Sequence, residues 1–248
     1  SISLSSRLVL YYHLNDRNTI SGFIAWLLAI LIREWYNSLN RGEFMKRYKQ
    51  SEIEEIATIL KNDGVISVPT DTVYGICARI NSSKAYLKLV SVKNRPSTKS
   101  FPVLCKDLEQ IKSIAIVDDK ALKLIKAFMP GPVTLVLNKR PDAFSYINNA
   151  GTRETDEIAV RMAPTPFLKE LIKEVGSPLF LTSANNSGKD VCKSLDEIEI
   201  ECPTLDGMVM GDVSFGEAST IVDLKGDDIK IQRQGPISED EIIKVVNK

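Results

Sequence analysis

Residues 65–106 read VISVPTDTVYGICARINSSKAYLKLVSVKNRPSTKSFPVLCK, and the rest of the fold is expected to form around this stretch. It opens with an apolar run, residues 65–68, that stops at Pro69. Because proline has no N–H to donate to a strand ladder, we expect a strand to end there. Residues 70–72, Thr-Asp-Thr, come directly after it. The stretch therefore predicts a buried strand that runs into a polar turn at the edge of a sheet.

The same stretch is strongly basic. Seven lysines and arginines and no acidic residue lie between Thr72 and Lys106, although the chain has 32 acidic residues in 248. Such a local excess of positive charge suggests an anion site. Its sharpest part is Lys93-Asn94-Arg95-Pro96, where proline biases Arg95 toward extended backbone and alternate side chains of an extended segment point the same way. Lys93 and Arg95 are thus predicted to form a phosphate clamp.

Composition narrows the chemistry further. The formal net charge is zero, so any nucleic-acid or membrane site has to be local. The four cysteines are scattered without a CxxC pair, which favours reduced thiols in a cytoplasmic protein over zinc or disulfides. The single histidine is His13, remote from every motif, so Ser-His-Asp and Cys-His mechanisms are excluded from the body of the chain. Phosphoryl or nucleotidyl transfer, which depends on positioning and charge, fits this inventory.

Residues 1–44 differ in character from the rest of the chain. Ile20 to Ile32 is an uncharged apolar run of 13 residues, short of the roughly 20 that a membrane-spanning helix needs. Three interpretations stay open: an interfacial or packing helix, a poor membrane anchor, or an extension that is not native to the domain. Met45 offers a clean domain start. We therefore expect an N-terminal extension over 1–44 and a catalytic domain over 45–248.

After residue 106, predicted helices and strands alternate, which is typical of an α/β fold. Polar residues come after several of the predicted strands. Arg161 ends an apolar strand. Its planar guanidinium group can bind a carboxylate through two hydrogen bonds, although an arginine at the end of a strand more often forms a salt bridge at the edge of the sheet. The loop 182–188, TSANNSG, is rich in hydroxyls and amides that could line an anion pocket, although it also matches a plain turn. Neither feature is specific by itself.

Seven short segments follow one another in a fixed order, and this order is more specific than any one of them. The segments are PTDTVYG at 69–75, KNRP at 93–96, PGPVT at 130–134, VR at 160–161, SANNSG at 183–188, STIVD at 219–223 and RQG at 233–235. Taken together they resemble the YrdC/Sua5 family, and we expect its short, TsaC type, without an extra C-terminal domain. Leu104 departs from the pattern, since some members carry a histidine there, and Ser100-Phe101-Pro102 stands where a Pro-Leu pair is common.

The resemblance implies a fold and an activity. The fold would be α/β, a twisted mixed open sheet with surrounding helices and a basic cavity. The activity would be synthesis of L-threonylcarbamoyladenylate from L-threonine, bicarbonate and ATP with release of pyrophosphate, which makes the enzyme a nucleotidyltransferase. The product would pass to a downstream threonylcarbamoyl-transferase complex for the t6A modification of tRNA position 37. Expected partners also include tRNA or double-stranded RNA, in the cytoplasm and without stable membrane association.

The resemblance also assigns roles to residues of this chain. Asp71 is expected to cap its turn rather than to bind metal, and Mg²⁺ is expected to arrive with ATP. Arg161 would take the threonine carboxylate, and Lys93 and Arg95 would be the catalytic cations. The ATP-binding residues would be Lys93, Arg95, Lys99, Ser183, Asn185, Val191 and Arg233, and the threonine-binding residues would be Thr72, Arg161, Leu181 and Ser219.

Two other functions stay open on sequence. One is a non-catalytic module that binds double-stranded RNA through a basic concave surface, which would show a strong salt dependence and no nucleotide turnover. The other is adenylation from carbamoyl phosphate, as in the YrdC-like domain of hydrogenase maturation proteins. That domain is normally accompanied by zinc-finger-like and acylphosphatase segments, and neither is found in these 248 residues.

Overall fold

A computed structural model describes residues 45–94, 101–141, 143, 156–226 and 228–248. The predicted extension over 1–44, with its apolar run, lies outside these ranges, as do Arg95 and Lys99. None of the helices in the described ranges is both long enough and apolar enough to cross a bilayer.

The described part of the chain alternates strands with helices, which confirms the α/β class. The strands in chain order are β1 (Arg47–Tyr48), β2 (Ile66–Val68), β3 (Gly75–Arg79), β4 (Val103–Cys105), β5 (Val133–Asn138), β6 (Glu157–Met162), β7 (Leu179–Ser183), β8 (Met208–Val209), β9 (Thr220–Asp223) and β10 (Lys230–Arg233). The helices are α1 (Ile53–Lys61), α2 (Ser83–Lys93), α3 (Leu108–Ile114), α4 (Asp119–Phe128), α5 (Pro166–Val175), α6 (Leu195–Glu201) and α7 (Glu239–Val246).

All the strands belong to one mixed sheet with the order β1-β8-β2-β3-β7-β4-β6-β5-β9-β10. Four neighbouring pairs are parallel, namely β1/β8, β8/β2, β4/β6 and β5/β9, and the other pairs are antiparallel. The mixed sheet predicted from the resemblance is confirmed. Its strand order places chain segments that are far apart in sequence side by side.

Helices cover both faces of the sheet, so its central strands are buried on both sides, whereas the edge strand β10 is mostly exposed. On β7, Leu179 and Leu181 point into a core formed with α1 and α5, whereas Phe180 points into a larger core formed with α2, α3, α4 and α7. This alternation arises from the two-residue period of a strand. Because both faces are apolar, these strands read as continuous hydrophobic runs rather than as alternating ones.

Strand β2 ends at Val68, as the proline after it predicts. Strand β3 was missed on sequence, where residues 70–72 were interpreted as a turn and residues 75–79 were assigned to no element. It pairs antiparallel with β2 and with β7, which makes it an interior strand of the sheet. The signal is weak because β3 is five residues long, begins with a glycine and is buried on both faces, so no alternation marks it.

Candidate active site

A cavity of about 170 Å³ opens on the sheet face that carries α1 and α5. All four residues predicted to bind threonine line it, and so do two of those predicted to bind ATP, Ser183 and Arg233. None of its described lining residues is acidic. The lining consists of Thr70, Thr72, Val73, Gly75, Pro102, Val103, Leu104, Thr134, Arg161, Leu181, Thr182, Ser183, Ala218, Ser219, Ile221 and Arg233.

The sheet brings these residues together. Arg161 on β6 lies beside Leu104 on the parallel strand β4. Ser219 directly precedes β9, and the backbone N–H of Thr220 donates to the Pro132 carbonyl at 2.9 Å where β9 meets β5. Leu181 lies on β7, next to β3 and β4. The cavity is therefore formed at strand ends and on one sheet face, where a rigid scaffold holds each side chain.

Arg161 is the central cation of this cavity. It is 5% exposed, its Nε donates to the Gly131 carbonyl at 3.0 Å, and its Nη1 donates to Thr72 Oγ1 at 3.0 Å. Its Nη2 forms an ion pair with Asp71. Burial lowers the pKa of the guanidinium and Asp71 opposes that shift, but arginine stays charged in proteins. Three of its five N–H groups have described partners, which leaves two for an incoming carboxylate.

The prediction that Asp71 caps its own turn is wrong. The Thr70 hydroxyl oxygen accepts from the backbone N–H groups of Thr72 and Val73 at 3.1 and 3.2 Å, and its hydrogen goes to the Val73 carbonyl at 2.6 Å. Asp71 is instead drawn to the buried guanidinium of Arg161. A buried arginine needs a nearby counter-charge more than the turn needs a second cap.

Arg233 places a second cation against the cavity. Its Nε and Nη2 donate to the Ser219 carbonyl at 3.0 and 2.8 Å, and Nη2 also donates to Ser219 Oγ at 3.2 Å. Partial desolvation of its guanidinium, together with the charge of Arg161, lowers the pKa of Arg233, although the residue as a whole is exposed. Both arginines line the same cavity, and an anion bound there would offset the repulsion between them. The arrangement therefore favours an anionic ligand.

The glycine of the RQG motif lies against Ser219. A Cβ atom on Gly235 would lie 2.4 Å from the Ala218 carbonyl oxygen and 2.5 Å from the Thr220 nitrogen, both backbone atoms. Substituting Gly235 by alanine is therefore expected to displace Ser219 and to lower the free energy of unfolding by about 2 kcal/mol. Denaturant unfolding measures this loss. The matched control is Gly226→Ala, where an added Cβ meets nothing within 4 Å. Equal stability of the two variants would contradict the prediction.

Lys93 does not have the extended backbone that the predicted phosphate clamp requires. It is the last residue of α2, and Asn94 after it is left-handed with φ 45°, so the backbone is not extended here. The side chain is 1% exposed. Its Nζ donates to the Ser183 carbonyl at 2.6 Å, to Asn185 Oδ1 at 2.8 Å and to the Asn185 carbonyl. The local geometry assumed for the clamp is therefore wrong, and Arg95 itself lies outside the described residues.

Lys93 organises the loop after β7. Ser183 Oγ donates to Asn185 Oδ1 at 2.7 Å, and Asn185 Nδ2 donates to the Lys189 carbonyl at 2.5 Å. The Ser187 N–H donates back to the Lys93 carbonyl at 3.1 Å. The structure thus brings Lys93, Ser183 and Asn185 together, as expected of residues that share one ligand. Of these three, Ser183 also lines the cavity.

Val191 lies apart from the cavity with the arginines. It lines a separate, open depression of about 570 Å³, together with Lys189 and Glu201. Lys189 and Glu201 form an ion pair across 2.8 Å. The predicted contact of Val191 with ATP stays a prediction.

Three of the seven basic residues between Thr72 and Lys106 form ion pairs with carboxylates, so the excess of positive charge seen in the sequence is smaller in space. Arg79 pairs with Asp63 at 2.6 Å, Lys88 with Asp206 at 2.5 Å, and Lys106 with Asp107 at 3.2 Å. These carboxylates lie outside the basic stretch in sequence. The charge that faces the cavity comes from Arg161 and Arg233 instead.

Sequence reasoning gave no role to two further residues of the site. Gly131 accepts the Arg161 Nε hydrogen bond through its carbonyl. Thr134 Oγ1 lies 2.9 Å from Ser219 Oγ. A signal was present, because both belong to the PGPVT segment at 130–134 that carries part of the family resemblance.

Comparison with known proteins places the chain in a family. Residues 58–235 match the model of the Sua5/YciO/YrdC family, which carries the description "Telomere recombination". The chain belongs to this family, which confirms the resemblance found in the sequence.

Two relatives and one solved structure illustrate the similarity. The chain is 33% identical over 201 residues to the threonylcarbamoyl-AMP synthase of Bacillus subtilis, covering 79% of this chain and 56% of that protein. It is 32% identical over 177 residues to the threonylcarbamoyl-AMP synthase of Yersinia enterocolitica, covering 68% of this chain and 90% of that one. The crystal structure of P. abyssi Sua5 complexed with L-threonine superposes with a TM-score of 0.73 at 26% identity, covering 81% of this chain and 60% of that chain. The chain thus spans little more than half of the B. subtilis relative.

Proposed function

We propose that this protein is a threonylcarbamoyl-AMP synthase. It would combine L-threonine, bicarbonate and ATP into L-threonylcarbamoyladenylate and pyrophosphate, which makes it a nucleotidyltransferase. The relatives that carry this name, and the P. abyssi structure solved with L-threonine, support the proposal.

The observation that carries the proposal is the convergence of Thr72, Arg161, Leu181 and Ser219 on one small cavity. Its volume of about 170 Å³ suits a molecule of amino-acid size, since an apolar cavity of about 150 Å³ holds benzene. A drug-sized or nucleotide-sized ligand needs several hundred Å³. The cavity therefore fits the amino acid, and ATP would extend from it past Arg233.

The chemistry brings two anions together. The threonine amine would react with bicarbonate, through the CO₂ that it forms, to give a carbamate and water. A carbamate oxygen would then attack the α-phosphorus of ATP as pyrophosphate leaves. Arg161 would hold the amino-acid carboxylate with its two remaining N–H groups. Arg233 would offset the negative charge of the carbamate and of the ATP phosphate that it attacks. Stabilising charge and fixing orientation are the main tasks in phosphoryl-group chemistry, so no imidazole is needed.

Of the five predicted ATP-binding residues that the structure describes, two, Ser183 and Arg233, line the cavity. Lys93 would act through the loop of Ser183 and Asn185, whose oxygens it holds in place. Arg95 and Lys99 are proposed to bind the phosphates, and Mg²⁺ is proposed to arrive with them. The product would serve tRNA modification in the cytoplasm through a downstream threonylcarbamoyl-transferase complex.

Release of pyrophosphate by the purified chain tests the proposal. With ATP and bicarbonate present, we expect release to depend on L-threonine, and D-threonine is the matched control because the cavity is chiral. Mass spectrometry should detect the adenylate. Absence of threonine-dependent release, combined with tight and salt-sensitive binding of double-stranded RNA, would favour the RNA-binding module instead.

A further inference from the structure

Thr134 is a buried polar residue of β5 that the proposed function does not yet use. It is 2% exposed and lies between Val133 and Leu135, which face the larger core. Its own side chain faces the cavity, where its hydroxyl lies 2.9 Å from that of Ser219. No other side-chain partner of this hydroxyl is found among the described residues. Burial of a hydroxyl is costly unless it is hydrogen-bonded, so the contact with Ser219 ties Thr134 to the predicted substrate-binding residues.

The hydrogen-bond directions around Ser219 narrow that role. Arg233 Nη2 can only donate, so Ser219 Oγ accepts from it at 3.2 Å. If Thr134 also donates to Ser219, both lone pairs of Ser219 are engaged and its hydrogen must go to a third group. If Ser219 donates to Thr134 instead, the Thr134 hydrogen remains for a third group. In both arrangements, one hydroxyl hydrogen of the pair is available to a ligand.

The charge of Arg233 determines which kind of group this hydrogen prefers. A hydroxyl that accepts from a guanidinium is polarised and becomes a better donor, and donors bind most strongly to ionised oxygens. Arg161 on the same cavity wall also attracts an anion. The third group is therefore expected to be a ligand oxyanion.

We infer that Thr134 and Ser219 form a hydroxyl pair, oriented by Arg233, that donates one hydrogen bond to an oxyanion of the amino-acid substrate. This inference rests on the proposed function. Two oxyanions share the required chemistry, the carboxylate of threonine and the carbamate formed from it. Ser219 contacts Thr134 on one side and Arg233 on the other.

The test compares Thr134→Val with Thr134→Ser in the full chain. Valine keeps the shape but removes the hydroxyl, whereas serine keeps the hydroxyl. Thr58→Val is the matched control, because it removes a hydroxyl that donates to the Glu54 carbonyl on an exposed helix face. Two measurements are made: calorimetric binding of L-threonine in bicarbonate-free buffer, and pyrophosphate release as bicarbonate is varied. Thermal unfolding of each variant separates loss of function from loss of folding.

We expect Thr134→Val to weaken one of these two functions about tenfold, with Thr134→Ser within about twofold of the unmodified chain. Weaker L-threonine binding without bicarbonate would identify the carboxylate as the oxyanion. Unchanged L-threonine binding with a raised KM for bicarbonate would identify the carbamate. If Thr134→Val matches Thr58→Val in both measurements while the unmodified chain is active, the inference is overturned and the proposed function stands. If the unmodified chain neither binds L-threonine nor releases pyrophosphate, the proposed function itself fails.

Discussion

Replacing Arg161 with alanine is expected to raise the KM for L-threonine about a hundredfold while changing the KM for ATP less than about threefold. Truncating one partner of a buried, hydrogen-bonded charge pair typically costs about 2–5 kcal/mol of binding free energy. Arg161 qualifies because it is 5% exposed and has two N–H groups left for a carboxylate. Steady-state kinetics with each substrate varied in turn measures both constants.

The substitution also affects folding, and a second variant separates the two effects. Alanine at position 161 leaves the Asp71 carboxylate without its cation, so stability should fall. In the double variant Arg161→Ala/Asp71→Ala, the unpaired charge is removed. We expect this variant to recover stability but not the affinity for L-threonine.

Arg47→Ala is the matched control for Arg161→Ala. Arg47 also pairs with carboxylates, Asp196 at 2.5 Å and Glu199 at 2.9 Å, but its side chain is partly exposed. Exposed pairs contribute little, so both KM values should stay unchanged. Equal losses for L-threonine and ATP in Arg161→Ala would show that the assigned role is wrong.

Lys93→Met is expected to lower the free energy of unfolding by about 3 kcal/mol and to raise the KM for ATP. Methionine has about the length and apolar volume of the aliphatic part of the lysine side chain, but it has no N–H group to donate a hydrogen bond. Two carbonyl oxygens and one amide oxygen of Ser183 and Asn185 would then lose a charged donor inside the protein. Since these oxygens shape the loop after β7, the ATP side should be more affected than the amino-acid side.

Denaturant unfolding and ATP kinetics are the measurements for this variant. Lys84→Met is the control, because Lys84 is exposed near the start of the same helix, α2. If the two variants unfold alike, the buried ammonium does not hold the loop. A loss confined to the KM for ATP would then support a direct contact between Lys93 and a phosphate, as predicted from the motif.

The errors of the sequence interpretation have local causes. Lys93 and Arg95 were interpreted as an extended clamp because proline comes after them, but that restriction acts on Arg95 alone and α2 continues through Lys93. Strand β3 was missed because it is short and buried on both faces. The basic run looked unbalanced because its counter-ions, such as Asp206 for Lys88, come from other parts of the chain.

Other features follow from short-range physics. The missing N–H of Pro69 ends β2 where predicted. Ser82 caps α2 by accepting from the Ala85 N–H at 3.2 Å, as the polar residues before the helix indicate. Gly176 ends α5 with φ 78°, a conformation that favours glycine. Each of these depends on a few consecutive residues, so the sequence contains all the information needed.

The α/β class, the order of the family motifs and the residue types available for chemistry could be read from the sequence alone, since these depend on composition and local pattern. Which of those residues meet was settled by tertiary structure. Thr72 and Arg161 are 89 residues apart, and Thr134 and Ser219 are 85 apart, yet each pair is in hydrogen-bond contact. Strand order in a mixed sheet creates these contacts, and it depends on how two buried faces are packed rather than on any local signal. For the same reason, Lys93 was found inside a loop of carbonyl oxygens and Asp71 beside Arg161.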